Sequence, residues 1–177
     1  MGGLIWNCWQ RILHKMAMIC PGGGSVRPWL HRLRGARIGR NVWISQFVYI
    51  DEIHPEAVSI GNNCSIGLRT SIFAHFYWGP RRTTEHASPV HIEDDVFIGP
   101  HCVILPNVRI GAGSVIPAGT VVSQNVPPRT LWSGPRARPI AEVTVPLTPQ
   151  HTYEEFARGL MPLWSGHRQS QDGVIRG

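Results

Sequence analysis

The chain has 177 residues, a length that suits one domain with short end segments. Its composition is 42% hydrophobic and 16% charged, with 19 glycines and 15 prolines, which excludes wholesale disorder and differs from that of a helical bundle. We therefore expect a body rich in strands and turns. The 4 cysteines are scattered without a CxxC pair, which predicts reduced thiols rather than a disulfide framework.

The formal net charge is +6, and basic residues are concentrated at the amino end. The first 40 residues contain no acidic residue and these seven basic ones: Arg11, Lys15, Arg27, Arg32, Arg34, Arg37 and Arg40. Such a cluster can face anionic lipid, phosphorylated ligands or nucleic acid. Because no zinc-finger, homeodomain or RNA-recognition motif accompanies it, we expect no nucleic-acid partner.

The same amino-terminal segment predicts two helices. Apolar residues recur there at helical spacing, namely Leu4, Cys8, Ile12 and Met16, with Ile5, Trp9 and Leu13 beside them. Residues 21–24 (PGGG) end the first helix, and residues 27–34 predict a short second one. We expect both to cap the open end of the domain. Peripheral membrane contact is the alternative, because Trp6 and Trp9 stand beside basic residues.

The chain has no pattern for crossing a membrane or for export. No stretch reaches about 18 apolar residues, and no charged start followed by an apolar core and a cleavage site is present. These patterns predict a cytoplasmic protein, either free or at the inner membrane surface.

An aliphatic residue recurs every six positions over much of the chain. The series runs Ile38, Ile44, Ile50; then Ile60, Ile66, Ile72; then Ile92, Ile98, Ile104, Ile110, Ile116 and Val122. A period of six fits neither an α-helix nor an amphipathic strand. It is typical of a triangular solenoid, in which each hexapeptide forms one flat side and its aliphatic residue points inward. Twelve hexapeptides predict about four coils of an all-β solenoid.

Two insertions interrupt the repeat. Residues 51–59 are slightly too long for one side, and residues 76–90 (FYWGPRRTTEHASPV) have the composition of a loop. Loops on a rigid scaffold often carry function. The predicted organisation is a helical cap at 1–37, the solenoid at 38–127 with its insertion at 76–90, a C-terminal extension with a helix near 152–160 at 128–164, and a flexible tail at 165–177.

The segment at 90–140, VHIEDDVFIGPHCVILPNVRIGAGSVIPAGTVVSQNVPPRTLWSGPRARPI, resembles the C-terminal half of hexapeptide-repeat sugar O-acetyltransferases. That family includes galactoside, maltose and exopolysaccharide (colanic acid type) acetyltransferases. RLRGARIGRNVWI and YIDEIHPEAVSIGNNCSIG are similar to the exopolysaccharide branch, and the resemblance covers about residues 26–142. It implies a left-handed parallel β-helix, acetyl-CoA as donor, a sugar or glycan hydroxyl as acceptor, and a homotrimer with its active sites between subunits.

Moving an acetyl group from a thioester to a hydroxyl requires a base, hydrogen-bond donors for the developing oxyanion, and fixed positions for both substrates. No GxSxG motif for a nucleophilic serine is present, which favours direct transfer in a ternary complex. His75 follows Ile72 by three residues, at the start of the longer insertion, and the resemblance implies a catalytic histidine at or near this position. His86, late in the same insertion, is the alternative base.

The remaining candidate site residues follow from the resemblance, in which Ser123 and Arg136 replace the usual residues, or from their position near the proposed base. For acetyl-CoA these are Gly99, Ala118, Gly119 and Ser123, together with Arg136 and Arg138 of the GPRAR segment, whose guanidinium groups suit phosphate. Residues near the base that can contact an acceptor are Tyr77, Trp78, Arg81 and Arg82. Pro100, Pro117 and Gln124 depart from the family pattern of the donor site. We expect no metal.

Three alternatives to sugar O-acetylation are compatible with the sequence. A γ-class carbonic anhydrase has the same solenoid and binds zinc through three histidines, for which His75, His86 and His91 are available. An N-acetyltransferase of an amino sugar would keep the fold and the donor. A non-catalytic solenoid scaffold would keep the fold alone.

Overall fold

The computed structural model describes residues 2–76, 87–134, 141–146 and 152–162. The chain divides into two compact units, Met1–Gly134 and Pro135–Gly177. The first unit begins with helices α1 (Gly2–Ile19) and α2 (Val26–Leu33). No helix among the described residues has the length and apolar character needed to span a bilayer. The predicted tail at 165–177 lies outside the described residues.

Short strands form the body of the first unit. They are β1 (Arg37–Ile38), β2 (Trp43–Ile44), β3 (Tyr49–Ile50), β4 (Val58–Ile60), β5 (Ser65–Ile66), β6 (Ser71–Ile72), β7 (Val90–Ile92), β8 (Phe97–Ile98), β9 (Val103–Ile104), β10 (Arg109–Ile110), β11 (Val115–Ile116) and β12 (Val121–Val122). They form three parallel sheets of four strands: face A (β1-β4-β7-β10), face B (β2-β5-β8-β11) and face C (β3-β6-β9-β12). This arrangement confirms the predicted parallel β-helix of about four coils.

The register shows why the six-residue repeat forms this structure. On face A, for example, Ile38 pairs with Ile60, Ile60 with Ile92, and Ile92 with Ile110. Each aliphatic residue therefore stacks on its counterpart in the next coil, and most of them are completely buried. Since one coil alone could not bury these side chains, stacking is the main source of stability.

Left-handed backbone residues form the corner between face A and face B. Asn41, Asn63, Asp95 and Gly113 have φ values of 54°, 55°, 59° and 68°. Asparagine and aspartate tolerate this conformation better than other residues with side chains. The Asn41 amide donates to Asn63 Oδ1 at 3.1 Å, and the Asn63 amide donates to Asp95 Oδ1 at 3.0 Å. Side-chain hydrogen bonds thus link three successive coils at this corner.

Helix α1 packs on α2 through a different face from the one predicted. Leu13 and Ala17 are buried and form a small core with Leu30, whereas Ile12 and Met16 of the predicted stripe are 47% and 42% exposed. The predicted orientation was wrong because α1 has apolar residues on two sides, and the side with the small Ala17 allows the closer approach. Leu4 lies where side chains are not described.

Three arginines hold the amino-terminal edge of the solenoid. Arg27 Nε donates to the Ile44 carbonyl at 2.6 Å, Arg32 Nε to the Ile38 carbonyl at 2.9 Å, and Arg34 Nη1 to the Ile50 carbonyl at 3.2 Å. These carbonyls belong to the first coil, one on each face, where no earlier coil supplies a backbone donor. An unsatisfied backbone carbonyl is costly when buried. Part of the basic cluster is therefore structural.

The second unit contains β13 (Ala141–Val143), α3 (Tyr153–Arg158) and β14 (Leu160–Pro162), and the two strands pair antiparallel. Thr152 and Glu155 form a capping box at the start of α3. The structure confirms the predicted C-terminal helix, with Glu154 and Glu155 in its first turn. The strand pair was not predicted.

Candidate active site

One acidic and one basic side chain meet at the corner that joins face C to face A, here called corner CA. Asp51 directly follows β3 in the first coil, and His75 follows β6 in the second. Because β3 and β6 are paired neighbours on face C, the two residues leave the sheet one above the other. Asp51 is 0% and His75 2% exposed, so both groups are withdrawn from bulk water.

The Asp51 carboxylate is fully engaged by hydrogen-bond donors. Its Oδ1 accepts from the backbone N–H groups of Ile53 and His54, each at 2.9 Å. Its Oδ2 accepts from the Ala74 N–H at 2.6 Å and lies 2.6 Å from His75 Nδ1. Donors of this number and geometry stabilise the ionised carboxylate in a buried position.

This pairing determines which nitrogen of His75 can act as a base. An ionised carboxylate only accepts hydrogen bonds, so Nδ1 of His75 carries the proton that it donates to Asp51. In the neutral imidazole, Nε2 is then the nitrogen with the lone pair that can take a proton. The arrangement matches the carboxylate–imidazole pair of general-base catalysis, in which the acid orients the ring and stabilises its protonated form.

Arg34, at the C-terminal end of α2, supports Asp51. Its Nη2 donates to the Asp51 carbonyl at 2.7 Å, and its Nη1 lies 3.1 Å from His31 Nδ1. Burial lowers the pKa of Arg34 to about 10. Burial, followed by the charge of Arg34, lowers the pKa of His31 to about 3, so this imidazole is neutral and accepts the hydrogen bond. Arg34 therefore connects the backbone of Asp51 to the residues that attach α2 to the solenoid.

A second carboxylate–imidazole pair lies beside the first. His54 Nδ1 is 3.1 Å from Glu56 Oε1, and the His54 ring centroid is 6.2 Å from that of His75, with the planes at 67°. The His54 side chain is 18% exposed, so it lies nearer to solvent than His75. Such a position allows His54 to contact a molecule that approaches His75.

The sequence-based prediction missed Asp51, Arg34 and His54. The signal for Asp51 was present, because an acid directly follows Ile50 where glycine follows several other repeat residues. Nothing in the sequence distinguished Arg34 from the other basic residues of its cluster. Of the other residues predicted for this corner, His86, Tyr77, Trp78, Arg81 and Arg82 lie outside the described residues.

Three predicted donor residues lie at a different corner. Gly99 follows β8, and Ala118 and Gly119 follow β11, so they occupy the corner that joins face B to face C, here called corner BC. Ser123 follows β12 at corner CA, but it is two coils away from His75. Arg136 and Arg138 lie outside the described residues. Within one chain, the donor positions of corner BC and the His75 pair therefore occupy different edges of the solenoid.

The glycines of corner BC have different surroundings. A Cβ on the buried Gly99 would come within 2.5 Å of the Ala118 nitrogen, so the absence of a side chain there serves the stacking of coils. Gly119 has a φ of +72°, and a Cβ added to it would meet no atom within 4 Å. Ala118 and Gly119 are exposed and leave their surface open to a ligand.

No group of three His, Cys, Asp or Glu side chains within the described ranges has a metal-binding arrangement. His91 lies on face A, where its Nδ1 is 2.7 Å from Ser59 Oγ. His86, which the zinc alternative also requires, is outside the described residues.

Comparison with known proteins shows what this solenoid is similar to. Residues 89–124 match the family described as bacterial transferase hexapeptide (six repeats). The chain superimposes on a hexapeptide-repeat-containing acetyltransferase of Vibrio cholerae O1 biovar eltor in complex with acetyl coenzyme A, with a TM-score of 0.59 and 28% identity, covering 73% of this chain and 82% of that one. Residues 89–124 therefore carry transferase hexapeptide repeats, and the chain has the fold of this acetyltransferase.

Two relatives show how far the likeness extends. YvoF of Bacillus subtilis, whose name assigns it only provisionally to the acetyltransferases, is 38% identical over 105 residues, which are 58% of this chain and 59% of YvoF. The 2,3,4,5-tetrahydropyridine-2,6-dicarboxylate N-acetyltransferase of Staphylococcus aureus is 43% identical over 77 residues, which are 44% of this chain and 31% of that enzyme. The chain thus spans less than two thirds of the length of each relative.

Proposed function

We propose that this protein transfers the acetyl group of acetyl-CoA to a hydroxyl group of a sugar or glycan, with His75 as the general base. The buried pair formed by Asp51 and His75 is the observation that carries the proposal. The hexapeptide-repeat match over residues 89–124 and the likeness to an acetyltransferase with bound acetyl coenzyme A support the choice of donor. Such a donor is consistent with the predicted cytoplasmic location.

The proposed reaction proceeds in a ternary complex. Nε2 of His75 accepts the proton of the acceptor hydroxyl while the hydroxyl oxygen attacks the thioester carbonyl carbon. The C–S bond then breaks, the acetyl ester remains on the acceptor, and the imidazolium returns its proton to the CoA thiolate. Asp51 keeps the imidazole in the Nδ1–H tautomer and stabilises the imidazolium while it exists. No covalent enzyme intermediate is required.

Two chains contribute to each site in this proposal. Acetyl-CoA runs along corner BC of one subunit, at Ala118 and Gly119, and meets the His75 pair at corner CA of the next. Gly99 contributes only through coil stacking. A C3 homotrimer brings each such pair of edges together and gives three equivalent sites. Ser123, Arg136 and Arg138 remain proposed contacts for the donor, the arginines for its phosphates.

The acceptor binds on the solvent side of the His75 pair. We propose that His54 contacts the acceptor there, because it lies beside His75 at the more exposed position. Tyr77, Trp78, Arg81 and Arg82 remain proposed acceptor contacts, since aromatic rings stack on sugar faces and guanidinium groups bind phosphate or carboxylate.

Transfer to an amine is the second candidate function. The relative from Staphylococcus aureus is by name an N-acetyltransferase, and its 43% identity over 77 residues supports this alternative. A base that removes a proton from a hydroxyl can also remove one from an attacking amine. The two functions therefore share the donor and His75 and differ in the acceptor.

A CoA-release assay with acetyl-CoA, performed across mono- and oligosaccharides, simple alcohols and amino sugars, tests the proposal. We expect release with sugar hydroxyls, and a fall of at least about 100-fold in His75→Ala. His91→Ala, which alters a histidine on face A, is the matched control and should retain activity. Loss of activity in His86→Ala with retention in His75→Ala would assign the base to His86. Release with amines alone would establish the second candidate, and activity unchanged in every variant would exclude the proposed mechanism.

A further inference from the structure

We propose that the exposed face of α1 binds the surface of an anionic lipid bilayer. This face, here called the α1 apolar face, consists of Trp9, Ile12, Met16 and Ile19, whose exposed fractions are 51%, 47%, 42% and 58%. Spacings of three and four residues place the four side chains on one side of the helix. The proposal does not depend on the acetyl-transfer reaction.

The α1 apolar face is separate from the surface that fixes the helix to the protein. Leu13 and Ala17 are 3% and 1% exposed and form the contact with Leu30 of α2. The helix is additionally joined to the first coil by the Phe47 N–H, which donates to the Met18 carbonyl at 2.8 Å. Binding at the α1 apolar face therefore requires no detachment of the helix from the solenoid.

The charge around this face is complementary to anionic headgroups. Arg11 and Lys15 each precede an apolar-face residue by one position, which places both along the same edge of the face. Both are exposed, and no acidic residue occurs in the first 40 positions. Arg11 lies 3.7 Å from Glu52, but a pair that is 77% exposed on the arginine side is screened by water and leaves the positive charge available.

A bilayer satisfies both features of this surface together. Tryptophan and aliphatic side chains enter the boundary between headgroups and acyl chains, while adjacent basic residues remain with the lipid phosphates. A second copy of the same face fits less well. Two copies would bring Arg11 and Lys15 towards their counterparts, with no acidic residue of α1 or α2 to offset the repulsion.

Co-sedimentation of the full chain with extruded vesicles tests the proposal. We expect the protein to sediment with vesicles of phosphatidylcholine containing about one third phosphatidylserine, and at least about tenfold less with phosphatidylcholine alone. Arg11→Gln/Lys15→Gln should weaken binding by about fivefold for each charge removed, and salt should weaken it similarly. Ile12→Ser/Met16→Ser should weaken it by at least about tenfold.

Val115→Ser/Val121→Ser is the matched control, because these valines of the last coil are similarly exposed, at 38% and 56%. It should bind like the unchanged chain, provided that circular dichroism and size-exclusion chromatography show the same fold and assembly in all variants. Equal binding to both vesicle types, no binding to either, or equal losses in the control would overturn the proposal. Concentration-dependent self-association abolished by Ile12→Ser/Met16→Ser without any vesicle binding would instead assign the face to a second copy.

Discussion

The first two coils of the solenoid and the last two have the same backbone repeat but different interiors. Among the described residues of the first unit, every buried ionisable histidine, arginine and aspartate belongs to the amino-terminal helices or to the first two coils: His14, Arg27, His31, Arg34, Asp51 and His75. The last two coils bury aliphatic residues, Cys102, Ser114 and Thr120. Buried charges are costly unless they are paired. The amino-terminal half, here called the polar half, therefore holds the buried ionisable groups, including the proposed base, whereas the described residues of the last two coils bury none.

Within the polar half, the buried groups serve two purposes. Arg27 and Arg34 satisfy backbone carbonyls that the first coil leaves without a preceding coil. Asp51 and His75 do not satisfy carbonyls of this kind. His75 follows β6, which pairs with β3 on one side and with β9 on the other. Asp51 accepts hydrogen bonds from three backbone N–H groups, and its contact with His75 is the one that the proposed catalytic role uses.

The largest expected effect comes from removing the charge of the Asp51 carboxylate. In Asp51→Asn the amide can present an N–H to His75, which would stabilise the wrong tautomer. We expect kcat for acetyl transfer to fall by about 1,000-fold while KM for acetyl-CoA changes little. Asp94→Asn, which changes an exposed corner carboxylate, serves as the control. Parallel losses in kcat and in helix content would show that Asp51 acts on folding instead.

Co-expression of two inactive variants separates the base from the donor surface. We expect His75→Ala to lack the base and Ala118→Trp to block the donor groove at corner BC. If each site uses one edge from each of two subunits, randomly mixed trimers contain about one quarter intact sites and recover about one quarter of the activity. No recovery in verified mixed trimers would mean that the base and the donor surface come from the same chain.

Two glycines of corner BC, Gly99 and Gly119, should differ in what they affect. Gly99→Ala places a Cβ within 2.5 Å of the backbone of the next coil, so we expect the free energy of unfolding to fall by about 2 kcal/mol or more. In Gly119→Ala the added Cβ meets no neighbouring atom. Only the positive φ disfavours alanine there, so we expect the free energy of unfolding to fall by about 1 kcal/mol. Chemical denaturation gives both values. Equal losses would show that stacking does not distinguish these positions.

The smallest expected effect concerns stability towards acid. Burial lowers the pKa of His14 to about 4 and that of His31 to about 3, below the usual 6.5, so both are neutral in the folded protein. The unfolded chain binds more protons below pH 6.5, and stability is therefore lost as the pH falls from 6.5 towards 4. We expect Tm to fall by about 5 °C or more over this interval.

Variants of the two histidines test the origin of that slope. His14→Gln and His31→Gln should each have a lower Tm at pH 7.5 and a flatter dependence on pH, because one titrating group is removed. His91→Gln changes a histidine of face A and should keep the original slope. An unchanged slope in both of the first two variants would contradict the assignment.

The six-residue period predicted the fold because each repeat residue has one role, namely to fill the interior beside its counterpart. The break in the period, together with the family resemblance, also singled out His75 as the candidate base, a role that stays a prediction. Asp51 was missed because its pairing with His75 depends on β3 and β6 being neighbours, and the two residues are 24 positions apart in the chain. The orientation of α1 was wrong because two apolar sides compete on one helix, and only the packing of Ala17 against α2 decides between them.

In the proposed mechanism, Asp51 holds His75 with its proton on Nδ1, so that Nε2 receives the proton of the acceptor. Nitrogen-15 NMR of the imidazole rings near pH 7.5, with His75 assigned by comparison with His75→Gln, measures the tautomer directly. We predict a protonated Nδ1 and an unprotonated Nε2 for His75, and we expect Asp51→Asn to lose this preference. A His75 ring that carries its proton on Nε2 would contradict it.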